Sequence, residues 1–261
     1  MLINFIKMQA QGNDFVMLNL LGNKELPLDP PGLAKAICDR RLGVGADGLV
    51  LLRDDEIAAA RMIIYNSDGS RAAMCGSALR CSAWLLAGQG KKNQLLISTD
   101  SGPKSVEVEY TDKMVHANLG APRLMEAKLE LEGLEGSLVD VGNLHFISWW
   151  DALDDDPHLQ YGYSLEHSPA YEQGLNAMFA RVVSPQEIDL KIWENACGPT
   201  LACGTGATAT VRAGLQKGLL SGEVKVNMPG GTVSVKEDSA GDFILSGYVE
   251  DVFNGAYRWK I

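Results

Sequence analysis

Asn66-Ser-Asp-Gly-Ser-Arg-Ala-Ala-Met-Cys75-Gly-Ser-Ala-Leu-Arg-Cys81-Ser-Ala-Trp-Leu-Leu-Ala-Gly88 runs from a polar turn through a cysteine into a stretch that is apolar or small at almost every position. The pattern predicts a helix over about 76–87 with Cys75 at its mouth. Lacking a polar face, such a helix is buried all round rather than laid on a surface. A helix N-terminus presents unpaired N–H groups and a partial positive charge. A thiol there tends to be acidified, and a carboxylate can dock there. The arrangement returns at Glu194-Asn-Ala-Cys197-Gly-Pro-Thr-Leu-Ala-Cys203-Gly-Thr-Gly-Ala-Thr-Ala-Thr-Val-Arg-Ala-Gly214. In each copy a polar residue ending a short strand, Asn66 or Glu194, lies nine positions before the cysteine (66 to 75, 194 to 203).

Other landmarks recur in the same order. Gly12-Asn13 returns as Gly142-Asn143, Gly90 as Gly218, the turn at Gly102 as Gly230-Gly231, and Gly120 as Gly247, at offsets between 127 and 130 (247 − 120 and 142 − 12). A nearly constant offset marks an internal duplication. The expected fold class is α+β. Two homologous lobes would each form a mixed β-sheet or barrel around a buried central helix, with the active site in the cleft between them. The N-terminal lobe would take residues 1–120 plus about 248–261, returning to pair with it, and the C-terminal lobe residues 121–247. Strands are expected at 2–8, 15–20, 49–52, 61–65, 95–99, 104–110 and 113–118, and a helix at 31–41, with Pro31 near its start and Arg40-Arg41 at its end. Residues 151–175 read as an acidic surface connection with a short helix at about 162–172. Gly43–Gly48 lacks the pattern of a phosphate loop and reads as structural.

A chain of 261 residues with 46% apolar content is an ordinary globular composition. The formal charge of −10 argues against nucleic acid or anionic membranes as partners. No apolar run is long enough to span a bilayer and the start has no signal-peptide layout, so the expected location is the cytoplasm. Five cysteines disfavour a disulfide framework, and no spacing suggests a metal site. Cys38, Cys81 and Cys197 read as small buried packing residues.

Two thiols at two helix mouths suit proton transfer at one carbon. Racemisation needs a base on one face and an acid on the other, and the two exchange roles in reverse. The carboxylate of an amino-acid substrate could take N–H bonds from Gly76 and Ser77 on one side and Gly204 and Thr205 on the other. These donors would also stabilise the enolate-like charge left when the α-proton departs. No cofactor is required by this scheme. The bland readings are a core histidine at His145 and turn residues at Asn13, Asn66 and Asn143.

Lys7-Met-Gln-Ala-Gln-Gly-Asn-Asp-Phe15, Asp39-Arg-Arg-Leu-Gly-Val-Gly-Ala-Asp47, Tyr65-Asn-Ser-Asp-Gly-Ser70, Met74-Cys-Gly76, Gly142-Asn-Leu-His145, Leu201-Ala-Cys-Gly-Thr-Gly-Ala207 and Met228-Pro-Gly-Gly231 resemble the diaminopimelate epimerases, in order and from end to end. The resemblance implies a PLP-independent isomerase of two barrel-like lobes that converts LL- to meso-2,6-diaminopimelate in lysine biosynthesis. It implies Cys75 and Cys203 as the thiol/thiolate pair, and His145 and Glu194 as the residues that orient or tune them. Asn13, Asn66, Asn143, Asn176 and Asn195 match positions that hold the substrate, and a homodimer is an open expectation. Departures fall on the distal substrate clamp. Asn195 stands where the family carries arginine, Ser77-Ala78 where it carries Asn-Gly, Gly48 where it carries glutamine, and Gln9 where it carries histidine or a similar residue. Asn195 can hydrogen-bond a second carboxylate but lacks the charge for an ion pair. The alternatives are a racemase of another amino acid such as histidine, an isomerase of the same fold with a non-thiol base, and a redox-sensing binding module.

Overall fold

In a computed structural model, which describes residues 1–22, 25, 29–90 and 93–259, the chain divides into two compact units. These are Met1–Ala117 with Gly247–Ile261, and Asn118–Ser246. The first contains β1 (Leu2–Ala10), β2 (Asn13–Asn19), α1 (Pro30–Cys38), β3 (Gly48–Arg53), β4 (Ala60–Asn66), β5 (Arg71–Ala72), α2 (Gly76–Gly90), β6 (Gln94–Thr99), β7 (Gly102–Glu109) and β8 (Met114–Asn118). The second holds β9 (Arg123–Leu131), β10 (Leu134–Asp140), β11 (Leu144–Trp149), α3 (Pro157–Glu166), β12 (Asn176–Ser184), β13 (Glu187–Glu194), β14 (Gly198–Pro199), α4 (Gly204–Gln216), β15 (Val224–Met228), β16 (Gly231–Glu237) and β17 (Phe243–Tyr248), whose last residues, Gly247 and Tyr248, fall in the first unit. The last strand, β18 (Glu250–Arg258), belongs to the first unit, where it pairs antiparallel with β1. Residues 260 and 261 of the expected returning segment lie outside the described residues.

Both units follow one plan. In the first, β1 pairs antiparallel with β18 and β2. The chain then crosses through α1 to β3, parallel to β2, turns back into β4, and crosses through α2 to β6, parallel to β4. In the second, β10 pairs antiparallel with β9 and β11. α3 leads to β12, parallel to β11, and α4 leads to β15, parallel to β13. Parallel neighbours need a crossover, and a helix is the usual one. The fold is therefore mixed α+β with two similar lobes.

Strands between two helices are buried on both faces. Val16, Leu18, Leu49 and Leu51 face α1 through Leu33, Ala34 and Ile37, while their neighbours Met17, Val50 and Leu52 are equally buried. Each fully buried aliphatic side chain of this kind contributes about 1.5–3 kcal/mol. Helix α2 lies against β1, β2, β4, β6 and β7, and α4 against β9, β10, β11, β12 and β16. The described side chains of α2 are buried or half-buried up to Ala87, and α4 is buried from Gly204 to Val211.

Three expectations are corrected. Helix α1 stops at Cys38, short of Arg40-Arg41, because Asp39 turns extended (φ −59°, ψ 123°) and its Oδ1 accepts from the Arg41 and Leu42 N–H groups at 2.7 Å. Helix α3 runs over 157–166 rather than about 162–172, since Pro157 pre-sets its first turn and Ser168-Pro169 lies beyond its end. Nor is it a mere surface connection. It is the counterpart of α1, with Leu165 buried alongside Phe146, Phe179 and Trp193. Finally, Cys197 is exposed, because it sits in the tight turn between Ala196 (φ 61°) and Gly198 (φ 73°), whereas Cys38 and Cys81 are buried as expected.

Candidate active site

Each unit brings a cysteine to the start of its central helix by the same backbone route. The Cys75 carbonyl accepts from Leu79 N, and the Cys203 carbonyl accepts from Ala207 N, both at 2.9 Å. Both cysteines thus open the first helical turn, and the next residues, Gly76-Ser77 and Gly204-Thr205, supply N–H groups with no intrahelical partner.

In the second unit Cys203 caps α4 with its own sulfur. Sγ accepts from Gly206 N at 3.3 Å and lies 3.4 Å from Thr205 Oγ1. A Cβ at Gly206 would fall 2.4 Å from Met178 Sδ and 3.2 Å from Cys203 Sγ, so a larger residue there would displace Met178 and crowd the sulfur. Glu194, at the end of β13, hydrogen-bonds the same sulfur, and Thr200 Oγ1 donates to Glu194 Oε1 at 2.6 Å. Burial, and then the charge of Glu194, push the Cys203 thiol well above its usual range, while Thr205 and Gly206 pull the other way. Cys203 is therefore held as a neutral thiol.

His145 is fully buried in β11, opposite Asn176 across the parallel pair. Its Nε2 lies 3.0 Å from Asn143 Oδ1. An amide oxygen can only accept, so Nε2 carries the proton and Nδ1, buried without a partner, is the bare nitrogen. Burial drives the imidazole pKa down to about 3, with a small opposing pull from Asp140. The ring is neutral. Asn176 is used by the fold: Nδ2 donates to the Leu144 carbonyl at 2.8 Å and Oδ1 accepts from Asn195 N at 3.1 Å. Asn195 is exposed, and its Nδ2 donates to the Gln173 carbonyl at 2.9 Å.

In the first unit Cys75 is half-buried, and Asn13 Nδ2, at the start of β2, lies 3.9 Å from its Sγ. Ser77 Oγ is buried without a partner in the first turn of α2. Asn66, at the end of β4, spends its amide on Ser70 Oγ at 2.9 Å, inside the turn it opens. The structure thus groups Asn13 with Cys75, and Glu194 and Thr205 with Cys203. It gives Asn66, Asn176 and Asn195 partners within the protein.

Sequence reasoning missed Thr200 and Glu166. Glu166, buried at the end of α3, accepts from Trp193 Nε1 and Ala196 N, both at 2.7 Å, and so fixes the turn that follows Glu194. A threonine three residues before a cysteine carries no signal of its own. Nor does Glu166, in a helix that reads Pro-His-Leu-Gln-Tyr-Gly-Tyr-Ser-Leu-Glu; only its burial in the fold shows that its carboxylate needs donors.

The diaminopimelate epimerase family model matches residues 5–125 and 137–249. A protein of Desulforudis audaxviator (strain MP104C) named diaminopimelate epimerase is 39% identical, with 98% of this chain and 99% of that protein covered. Among solved structures, a phenazine biosynthesis protein of the PhzF family from Bacillus anthracis is similar at a TM-score of 0.76 with 15% identity, covering 98% of this chain and 99% of that one. A hydroxyproline epimerase from Agrobacterium vitis gives 0.73 with 13% identity, covering 98% and 92%. At such identities the two structures speak for the fold. The family model, spanning most of both units, and the full-length relative establish that the chain belongs to the diaminopimelate epimerase family.

Proposed function

We propose that this protein is a cofactor-independent amino-acid epimerase that interconverts LL- and meso-2,6-diaminopimelate with Cys75 and Cys203 as the acid/base pair. The observation that carries this reading is the equivalent seating of the two cysteines at the mouths of α2 and α4 in a duplicated fold. The names of the family and of its full-length relative support the substrate.

In this scheme one cysteine, as thiolate, takes the α-proton and becomes a thiol. The carbon is left as a planar carbanion whose charge spreads into the carboxylate. The other cysteine, as thiol, delivers its proton to the opposite face and becomes a thiolate, and the reverse reaction starts from that state. The N–H groups of Gly76, Ser77, Gly204 and Thr205 hold the carboxylate while the charge develops. Glu194 keeps Cys203 protonated until the transfer, and neutral His145, fixed by Asn143, adds no charge to compete with it. Asn13 offers its amide to Cys75 when that sulfur is anionic. The reaction is expected in the cytoplasm, with no metal or organic cofactor.

One observation favours a second reading. Asn195 is neutral and already bonded to Gln173, so a distal carboxylate would find no cation at that position. A racemase of an amino acid without that second carboxylate, such as histidine, is the alternative. A panel in D2O, with LL- and meso-diaminopimelate and L-histidine scored for α-proton exchange, separates the two. Exchange of the diaminopimelate isomers alone is expected. Exchange of histidine alone would move the assignment to the second reading, and exchange of neither would end both.

A further inference from the structure

Helix α2 buries a cation. Arg80 is 1% exposed in a helix whose other residues, Gln89 apart, are apolar or small. Among the described residues no carboxylate pairs with it. Its Nη2 donates to Gln11 Oε1 at 2.7 Å, while Nε and Nη1 are buried without partners. Burial lowers its pKa to about 10, so it remains charged at neutral pH. The titratable groups within its electrostatic reach are Cys81, Cys75 and Tyr248, with Asp251 acting on Cys81 from β18. A buried guanidinium with two unsatisfied edges costs stability, and an apolar side chain of similar volume would remove that cost. Stability therefore does not account for this residue.

Its single bond points to another role. Gln11 is fully buried at the tip of the β1–β2 hairpin, in the left-handed region (φ 52°) and followed by Gly12 (φ 81°). Its Nε2 donates to the Tyr248 carbonyl at 3.0 Å. Two residues on, Asn13 reaches the Cys75 sulfur. Helix α2 thus meets the hairpin tip twice, through Cys75 to Asn13 and through Arg80 to Gln11. The position in α4 equivalent to Arg80, five residues past Cys203, is Thr208, whose hydroxyl merely donates to the Gly204 carbonyl. The second thiol is held by Glu194 instead.

We propose that Arg80 is a positioning residue for the first thiol: a buried strut, through Gln11, that holds the Asn13 amide against Cys75. The inference rests on the reading of Cys75 as an acid/base group.

The test compares Arg80→Met, Gln11→Asn and the double variant with the wild-type chain. Asparagine keeps the left-handed preference at position 11 but is one methylene too short to accept from Arg80. Melting temperature, kcat and KM for α-proton exchange are measured, together with the rate at which iodoacetamide alkylates Cys75, followed by mass spectrometry of its peptide. The expected result for Arg80→Met is a melting temperature at or above wild type and KM within about threefold. Its kcat should fall about 10- to 100-fold, the scale of a misplaced reacting group. Cys75 should alkylate at least about threefold more slowly, since the thiolate is the nucleophile. Gln11→Asn should match it, and the double variant should be no worse than either single one, as for members of one network. Wild-type kcat and alkylation in both single variants would overturn the proposal. So would a loss of activity that tracks a lowered melting temperature with Cys75 reactivity unchanged. If Arg80→Met fails to fold, Gln11→Asn decides by the same readouts. Alkylation needs no substrate, so a wild-type chain that exchanges no amino acid would defeat the functional reading while the strut is still decided.

Discussion

His145 shows how far burial dominates a single residue. Its folded pKa of about 3 lies below the ordinary 6.5, so the unfolded chain binds the extra proton and the folded one refuses it. Stability is fully present above about pH 6.5 and is lost as pH falls toward 3, at about 1.4 kcal/mol per pH unit. Half-buried His158, lowered by its own burial and by Lys191, acts in the same direction. Denaturant unfolding at pH 6.5 and 4.5 should differ by roughly 3 kcal/mol, and His145→Gln should remove most of that difference. An unchanged pH slope in the variant would show that the histidine is not buried neutral. At this scale the sequence was legible where a motif or a turn constrained the residue. Cys203 and Glu194 fall together because the strand end and the helix mouth are fixed by spacing. Thr200, Glu166 and the Gln11–Arg80 bond were not legible, since each depends on which side chain arrives from a different segment.

At the scale of elements, periodicity located α2 and the strands of the first unit, because a helix without a polar face and strands of β-branched residues have few other solutions, while the second unit's plan was expected from the repeat. Ends were harder. Asp156-Pro157 has the composition of a helix start, yet Asp156 does not cap α3: it is left-handed (φ 49°) and its carboxylate makes no cap bond. It is instead turned to Lys191 at 3.0 Å. Gly162 looked like a helix boundary, yet it lies inside α3 because Trp193 needs the space. A Cβ there would meet the indole at 2.3 Å, and Glu166 holds that indole by its N–H. Gly162→Ala gains about 1 kcal/mol of helix propensity and meets an overpacking cost of about 1–3 kcal/mol. The indole cannot swing away freely, so the melting temperature is expected to fall, with a loss of turnover because Glu194 follows Trp193 directly. A rise in melting temperature would show that Trp193 is free to move.

For the whole molecule the duplication decides most. The repeated glycine landmarks foretold a repeated plan, and α1 and α3, β18 and β9, and α2 and α4 occupy matching steps of it. What a repeat cannot foretell is divergence between the copies. One thiol has a buried arginine on its helix and the other a glutamate against its sulfur, and such asymmetry matters for a reaction in which the two groups start in opposite protonation states. Whether one thiol removes a proton while the other supplies a different one is read at the first turnovers in D2O. Protiated LL-diaminopimelate is followed by mass spectrometry before conversion exceeds a few per cent. Meso product carrying one α-deuterium is expected, while the remaining LL substrate keeps its protium. Product that retains protium, or deuterium entering the remaining substrate as fast as the product, would mean that one group serves both faces and would contradict the two-thiol scheme.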